Sequence, residues 1–315
     1  MNIKPSLFLV FLLFAYLNGW TQNAFKVIPL GIKGGNDESN LSAYLVAPSN
    51  SNNYISLDAG TLNAGIQKAI DLGTLKGVVE DFLRKNIKGY LISHAHLDHV
   101  AGLIINSPAD TNKYIYAMPK VLGIMRDKYF SWDTWANFGN EGEMPQLKKY
   151  TYKPLVEGTE EQLTATEMTV QAYPLSHVNP TQSTAFLIGA NNNYLLYLGD
   201  TGADEIEKTD QLMKLWRRVA PLISSGQLKA IFLEVSFPNS QPENQLFGHL
   251  TPKLFYKELG KLQQLTNAEA FGKLSIIVTH IKPPHYAEVK QELQKENKLQ
   301  LNLIFPEQGK LFMIN

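Results

Sequence analysis

Residues 91–103 read LISHAHLDHVAGL, and the reading of this stretch governs that of the rest of the chain. The 315-residue sequence contains seven histidines, and three of them fall with an aspartate inside six positions here. An apolar run ends near Ser93, where the backbone must turn. His94 and His96 alternate by two and can face one point from an extended loop. Asp98 and His99 follow at a turn and can face a second point nearby. Two metal ions a few ångströms apart, each needing neutral imidazoles and carboxylate oxygen, suit that pattern. A polar surface loop gives no reason to crowd imidazoles in this way.

Outward from this loop, short apolar runs read as buried strands: FKVIPL (25–30), SAYLVA (42–47), NYISLD (53–58), GYLIS (89–93), MTVQAYPL (168–175), NYLLYLGD (193–200), AIFLEV (230–235) and LSIIVTH (274–280). Helical spacing recurs in NAGIQKAIDLG (63–73), TDQLMKLWRRVAPLI (209–223) and TPKLFYKELGKLQQL (251–265). The last begins with Thr251 as an N-cap and Pro252 at the first helical position. Mixed strands and helices without a repeat predict one α/β domain over residues 22–315. Residues about 107–160, richer in polar and aromatic side chains and including YFSWDTWANFGNEGEMP (129–145), read as an insertion on that core. Asp58, His94, Asp200, Glu234 and His280 each stand at or just past the end of a strand-like run. Chemistry in sheet proteins gathers beyond the carboxyl ends of strands, so these five point to a common rim.

Composition narrows the chemistry. Lysine plus arginine equals aspartate plus glutamate at 29 each, which leaves no broad attraction for nucleic acid. Cysteine is absent, so disulfides and thiolate ligands are excluded and a metal must be held by nitrogen and oxygen. The opening MNIKPSLFLVFLLFAYLNGWTQ has one lysine, an apolar run from Leu7 to Leu17, then small and polar residues. That run is short for a membrane span and has the layout of a signal peptide over residues 1–21, with Gly19 and Thr21 placed for cleavage before Gln22. The expectation is an exported chain, periplasmic or secreted, with no stable membrane association once the segment is removed. Nothing in the sequence specifies an oligomeric state.

The histidine segment resembles the signature of the metallo-β-lactamase superfamily, which implies an αββα sandwich with a two-metal site. The resemblance implies further ligands, and matching positions follow in order. His177 in PLSHVNP looks like the third ligand of the first metal, beside His94 and His96. Asp200 in LYLGDTG looks like the bridging carboxylate. His280 in IIVTHIKP looks like the last ligand of the second metal, beside Asp98 and His99. Asp58 in ISLDAG matches the aspartate that steadies the histidine loop. Taken singly, His177 or His280 can equally be a hydrogen-bonded core histidine; with the cluster they read as ligands. The cysteine ligand of many true β-lactamases is missing, and an aspartate bridge belongs to the phosphodiesterase, lactonase and glyoxalase branches.

Closer likeness spans nearly the whole chain after the leader. LGIKGGNDESNLSAYLV (30–46), SHAHLDHVAGLIINSP (93–108), WDTWANF (132–138) and LFGHLTP (246–252) resemble the class II cyclic nucleotide phosphodiesterases. A glycine turn is the usual meaning of GIKGGNDESN (31–40) by itself. The resemblance implies hydrolysis of 3′,5′-cyclic nucleotides by a hydroxide poised between two divalent ions, zinc being favoured by the histidine count. Related RNA-processing phosphodiesterases use a glutamate and a histidine to deliver a proton. Here that pair is Glu234 and His249, with the carboxylate expected to favour the protonated imidazole. Asp98 is counted with them among the catalytic groups as well as among the ligands. Substrate contacts are expected from His285, and from Trp132, Trp135 and Phe138 by base stacking, although aromatic stripes commonly serve packing. A lactonase or an RNA 3′-end endonuclease on the same site, and a non-catalytic binding protein on a retired fold, remain as alternatives. A gap in the ligand set would mark the retired fold, and the sequence has none.

Overall fold

A computed structural model describes residues 24–315. The segment read as a signal peptide, residues 1–21, lies outside the described residues. In chain order, β1 (Phe25–Gly31), β2 (Ala43–Pro48), β3 (Tyr54–Leu57), β4 (Ile87–Leu91), β5 (Lys113–Ala117) and β6 (Tyr150–Pro154) build one sheet. A second contains β7 (Glu161–Gln162), β8 (Thr169–Ser176), β9 (Gln182–Ala190), β10 (Asn193–Tyr197), β11 (Leu228–Glu234), β12 (Ser275–Thr279) and β13 (Asn302–Ile304). The last strand, β14 (Phe312–Ile314), returns to pair antiparallel with β1. The sheet orders are β14-β1-β2-β3-β4-β5-β6 and β13-β12-β11-β10-β9-β8-β7.

Strand β2 shows why these runs are apolar throughout. Its side chains alternate: Tyr44 and Val46 enter the layer between the sheets, while Leu45 and Ala47 enter the layer under the helices. With both faces covered, no position is left for a polar residue. The inner layer joins Val27, Tyr44 and Leu57 of the first sheet to Phe186, Tyr197 and Phe232 of the second. Helices α1 (Asn63–Asp71), α2 (Val79–Lys85), α3 (Leu97–Asn106) and α4 (Pro119–Ile124) cover the outer face of the first sheet. The second is covered mainly by α6 (Gln211–Ser224), α7 (Pro252–Gln264) and α9 (Tyr286–Glu296), with the short α5 (Asp204–Glu207) and α8 (Ala268–Gly272) beside them. The architecture is the αββα sandwich that the sequence led us to expect. Thr251 caps α7 as expected, its hydroxyl accepting from the Leu254 amide.

The proposed insertion needs redrawing. Residues 107–160 include β5 and β6, which extend the first sheet in parallel. Only the stretch between them, 118–149, departs from the sheet, first as α4, then as a π-helical turn (Met125–Tyr129), and then as irregular chain. Strand β6 was hidden because its residues alternate buried and exposed at the sheet edge. Strand β9 was hidden by its polar start, where Ser183 and Thr184 are buried.

Parallel pairing fixes the site. Strands β3 to β6 run one way in the first sheet, and β10 to β13 run parallel in the second. Their carboxyl ends carry Asp58, His94, Asp200, Glu234 and His280.

Candidate metal centre

The histidine loop is shaped by backbone before side chains enter. Asp58 leaves β3 with a left-handed φ of 54°, and the next amide, Ala59, donates to the His99 carbonyl at 2.8 Å. Gly60 and Gly102 touch where this turn crosses α3: the Gly102 amide donates to the Gly60 carbonyl at 2.9 Å, and a Cβ on Gly60 would lie 2.0 Å from the Asp98 carbonyl oxygen. Only glycine permits that approach.

Four of the five expected ligand histidines, all but His96, then have one nitrogen engaged and the other turned inward. The buried Asp58 carboxylate accepts from His99 Nδ1 at 2.7 Å, Ser93 Oγ at 2.8 Å and Tyr197 Oη at 2.5 Å. Because the Ser93 hydroxyl proton goes to Asp58, its oxygen accepts from His94 Nδ1 at 3.1 Å. His177 Nδ1 donates to the Gly248 carbonyl at 2.8 Å. The Ser236 hydroxyl donates to Glu234 Oε2 at 2.8 Å and so accepts from His280 Nδ1 at 2.9 Å. In all four rings Nε2 keeps its lone pair for the interior, the tautomer a metal requires.

Those inward atoms converge in the two sets expected. Donors of His94, His96 and His177 lie within 4.8 Å of one another, as do those of Asp98, His99 and His280. Asp200 Oδ2 stands between the sets, 3.2 Å from Nε2 of both His99 and His280, 3.7 Å from His94 Nε2 and 3.8 Å from His177 Nε2. His96 Nδ1 and His177 Nε2 are 3.3 Å apart, and His99 and His280 Nε2 are 3.1 Å apart. Nitrogens held 2.0–2.1 Å from one tetrahedral zinc are separated by about 3.3 Å, so the spacing fits a shared cation. Two further observations agree. His94 Nε2 and Asp200 Oδ1 are buried without any hydrogen-bond partner, a costly state that a coordinated ion relieves. Burial pulls His99 toward neutrality, yet Asp200, Asp58 and Asp98 outweigh it and raise its pKa well above the ordinary imidazole value. The same negative potential favours a cation.

The sequence matches a family model described as cAMP phosphodiesterases class-II over residues 74–309. The chain belongs to that family. A 3′,5′-cyclic-nucleotide phosphodiesterase of Aliivibrio fischeri is 39% identical over 305 residues, covering 91% of this chain and 92% of that protein. Among solved structures, unliganded yeast PDE1 superposes with a TM-score of 0.80 at 22% identity, covering 93% of this chain and 100% of that one. The metallo-β-lactamase fold protein YhfI of Bacillus subtilis superposes with a TM-score of 0.59 at 16% identity, covering 92% and 99%. The fold is therefore that of the metallo-β-lactamases, and this class-II phosphodiesterase is a hydrolase of that fold.

Glu234 and His249 stand together in the phosphodiesterase as expected, with Oε1 and Nδ1 2.7 Å apart. The His249 ring lies between the two sets, 4.8 Å from the His177 ring and 5.2 Å from that of His280. Burial works against the expected charge state. Burial pushes His249 down to about 4 and Glu234 up to about 7, so the pair favours a neutral imidazole and a protonated carboxyl. Desolvation outweighs the attraction that the sequence reading emphasised.

The expected substrate contacts separate. Phe138 is buried in the core under the first sheet, against Phe130, and is unavailable for stacking. Trp135 donates from Nε1 to Ser107 Oγ at the far end of α3, a helix of ten residues and hence about 15 Å from the metal-facing end. Trp132 donates to the Pro145 carbonyl within the excursion. The excursion does reach the site through Tyr129, whose hydroxyl donates to the Ala95 carbonyl at 2.7 Å. His285 is closer to the chemistry, its ring 5.8 Å from that of Phe237, which lies 5.8 Å from His249. A cleft of about 270 Å³ opens beside His96, between Val121 and Ile124 of α4 and residues 180–182. A larger cavity of about 700 Å³ lies at the opposite rim, by Asn193, Leu228 and Leu274 at the starts of strands.

Sequence reading missed four supports of the centre: Ser93, Ser236, Tyr197 and the glycines of residues 31–35. Gly35 donates its amide to Asp98 Oδ2 at 2.9 Å, and a Cβ on Gly34 would lie 2.4 Å from the His280 ring. Ser93 sits directly before His94, and Ser236 two residues after Glu234, so adjacency to a chemical residue was the available signal.

Proposed function

We propose that this chain hydrolyses 3′,5′-cyclic nucleotides to 5′-nucleotides with two zinc ions, one held by His94, His96 and His177, the other by Asp98, His99 and His280, with Asp200 bridging. When bound, such ions acidify a water and take up negative charge on the phosphoryl oxygens. The water oxygen bonds to phosphorus, the bond from phosphorus to the ribose 3′ oxygen breaks, and that oxygen needs a proton. His249 supplies it from Nε2 and recovers a proton at Nδ1 from Glu234, so the pair works as a relay. The Thr201 amide at 3.2 Å and Ser236 Oγ at 2.8 Å hold the Glu234 carboxyl in place.

The observation that carries this reading is the buried Glu234–His249 pair, set between the two donor sets in a chain of this family. Export directed by residues 1–21 is part of the proposal, and N-terminal sequencing of the processed protein tests it. The activity is tested by assaying the purified, zinc-loaded chain against cyclic AMP, cyclic GMP and a lactone, with metal analysis. Turnover of a cyclic nucleotide with about two ions per chain is expected. Turnover of the lactone alone would overturn the substrate assignment.

A further inference from the structure

Lys282 is a cation beside the metal centre that the mechanism has not used. It follows His280 by two residues, and its amide donates to the Ser236 carbonyl at 3.3 Å, which ties its backbone to the segment just past Glu234. Its ammonium rests 5.4 Å from the centroid of the Phe237 ring, the ring that lies 5.8 Å from His249. Gly35 marks its other side: a Cβ built there would be 3.8 Å from Lys282 Nζ and 3.9 Å from Asp98 Oδ2. The bare glycine thus leaves open space between the ammonium and a metal-facing carboxylate. Gly35 also has a φ of 55°, so a side chain there would be strained.

No carboxylate among the described residues comes within 4.0 Å of this ammonium, a state it shares with many surface lysines; what sets it apart is its place beside the metal centre. Its charge reaches the proton donor, adding to the burial that depresses His249. A lysine held against an aromatic face gives up freedom of its stem, which suits it to wait for an anion.

We propose that Lys282 is a phosphate-binding residue, its ammonium donating to a non-bridging oxygen of the phosphoryl group seated over the metal centre. Charge on those oxygens grows as water attacks and stays on the 5′-phosphate product, so the lysine holds both more tightly than the cyclic ester. This deepens the phosphodiesterase reading and rests on it for the substrate, but not for the anion.

The test compares zinc-loaded wild type with Lys282→Met, Lys282→Gln and Lys282→Arg, measuring cyclic AMP kinetics, inorganic phosphate affinity by calorimetry, and bound zinc. Removal of the charge should lower kcat/KM about 10- to 100-fold and weaken phosphate by a similar factor, with zinc content unchanged; Arg should recover most of both. Lys282→Gln carries the test if the Met variant fails to fold. Wild-type kinetics and phosphate affinity in the neutral variants overturn the proposal, as does a loss that tracks zinc content alone. If wild type turns over no cyclic nucleotide while the neutral variants still bind phosphate more weakly, the substrate reading falls and the anion site stands.

Discussion

Glu234 and His249 meet at 2.7 Å in a setting where both side chains are buried, and burial places the shared proton nearer the carboxyl. In the proposed relay His249 is recharged from behind rather than held as a standing cation. In His249→Ala the metal ligands are untouched, so zinc content should be preserved. Turnover of cyclic AMP should drop by roughly 10²–10⁴, the range for general acid catalysis. A p-nitrophenyl phosphodiester, whose leaving group needs no proton, should lose far less. Equal losses on the two substrates would remove the relay.

The raised carboxyl has a signature in stability. Glu234 rises from 4.5 in the unfolded chain to about 7 in the fold, so between those values the folded chain binds more protons. Its stabilising contribution is complete below pH 4.5 and is lost as pH climbs through 7. Glu234→Gln mimics the protonated form. In chelator, the urea midpoint of the wild type should fall relative to that of Glu234→Gln between pH 4.5 and 7. A constant difference across that range would contradict a buried, protonation-favouring site.

Asp58 orients His99 from outside the proposed ligand set and is the acceptor for four donors, the Ser93 amide and hydroxyl, His99 Nδ1 and Tyr197 Oη. Asn is a tolerant replacement at its left-handed φ of 54°, so Asp58→Asn should fold. It lacks the charge that holds the His99 tautomer. Competition with a chromophoric chelator should give zinc affinity weakened about 10- to 100-fold, the usual effect of losing such a partner. Unchanged affinity would show that Asp58 serves only the turn.

Gly34 can be tested against a neutral control. A Cβ there would stand 2.4 Å from the His280 ring, whereas one on Gly123 in α4 meets nothing within 4 Å. Gly34→Ala should displace His280 and lower bound zinc toward one ion per chain. Gly123→Ala should leave metal content intact. Metal analysis of the two variants after dialysis decides the matter.

The centre was legible in the sequence because its residue types are scarce and stand where apolar runs stop. Six of the seven histidines lie in the centre, and the strands that present them are runs buried on both faces. What escaped had weaker marks. Ser236 and Tyr197 are ordinary residues whose importance comes from which oxygen they face. Strand β9 opens with Gln-Ser-Thr and does not stand out as an apolar run, since burial there depends on neighbours distant in sequence. Phe138 illustrates the opposite error. An aromatic residue in a polar stretch suggested an exposed platform, but Phe130 and Tyr150 enclose it in the core. The Glu234–His249 pairing was foreseen, whereas the weight of desolvation on it depends on a burial that only packing reveals.

The separation of the donors along the chain also constrains how the protein matures. His96 and His177 are 81 positions apart, and His99 and His280 are 181 apart. During synthesis the first loop emerges long before its partners, so the early chain can offer zinc no complete cage. Under the two-metal proposal each cage joins a loop of the first sheet to a histidine of the second, so neither cage is complete until the two sheets have met.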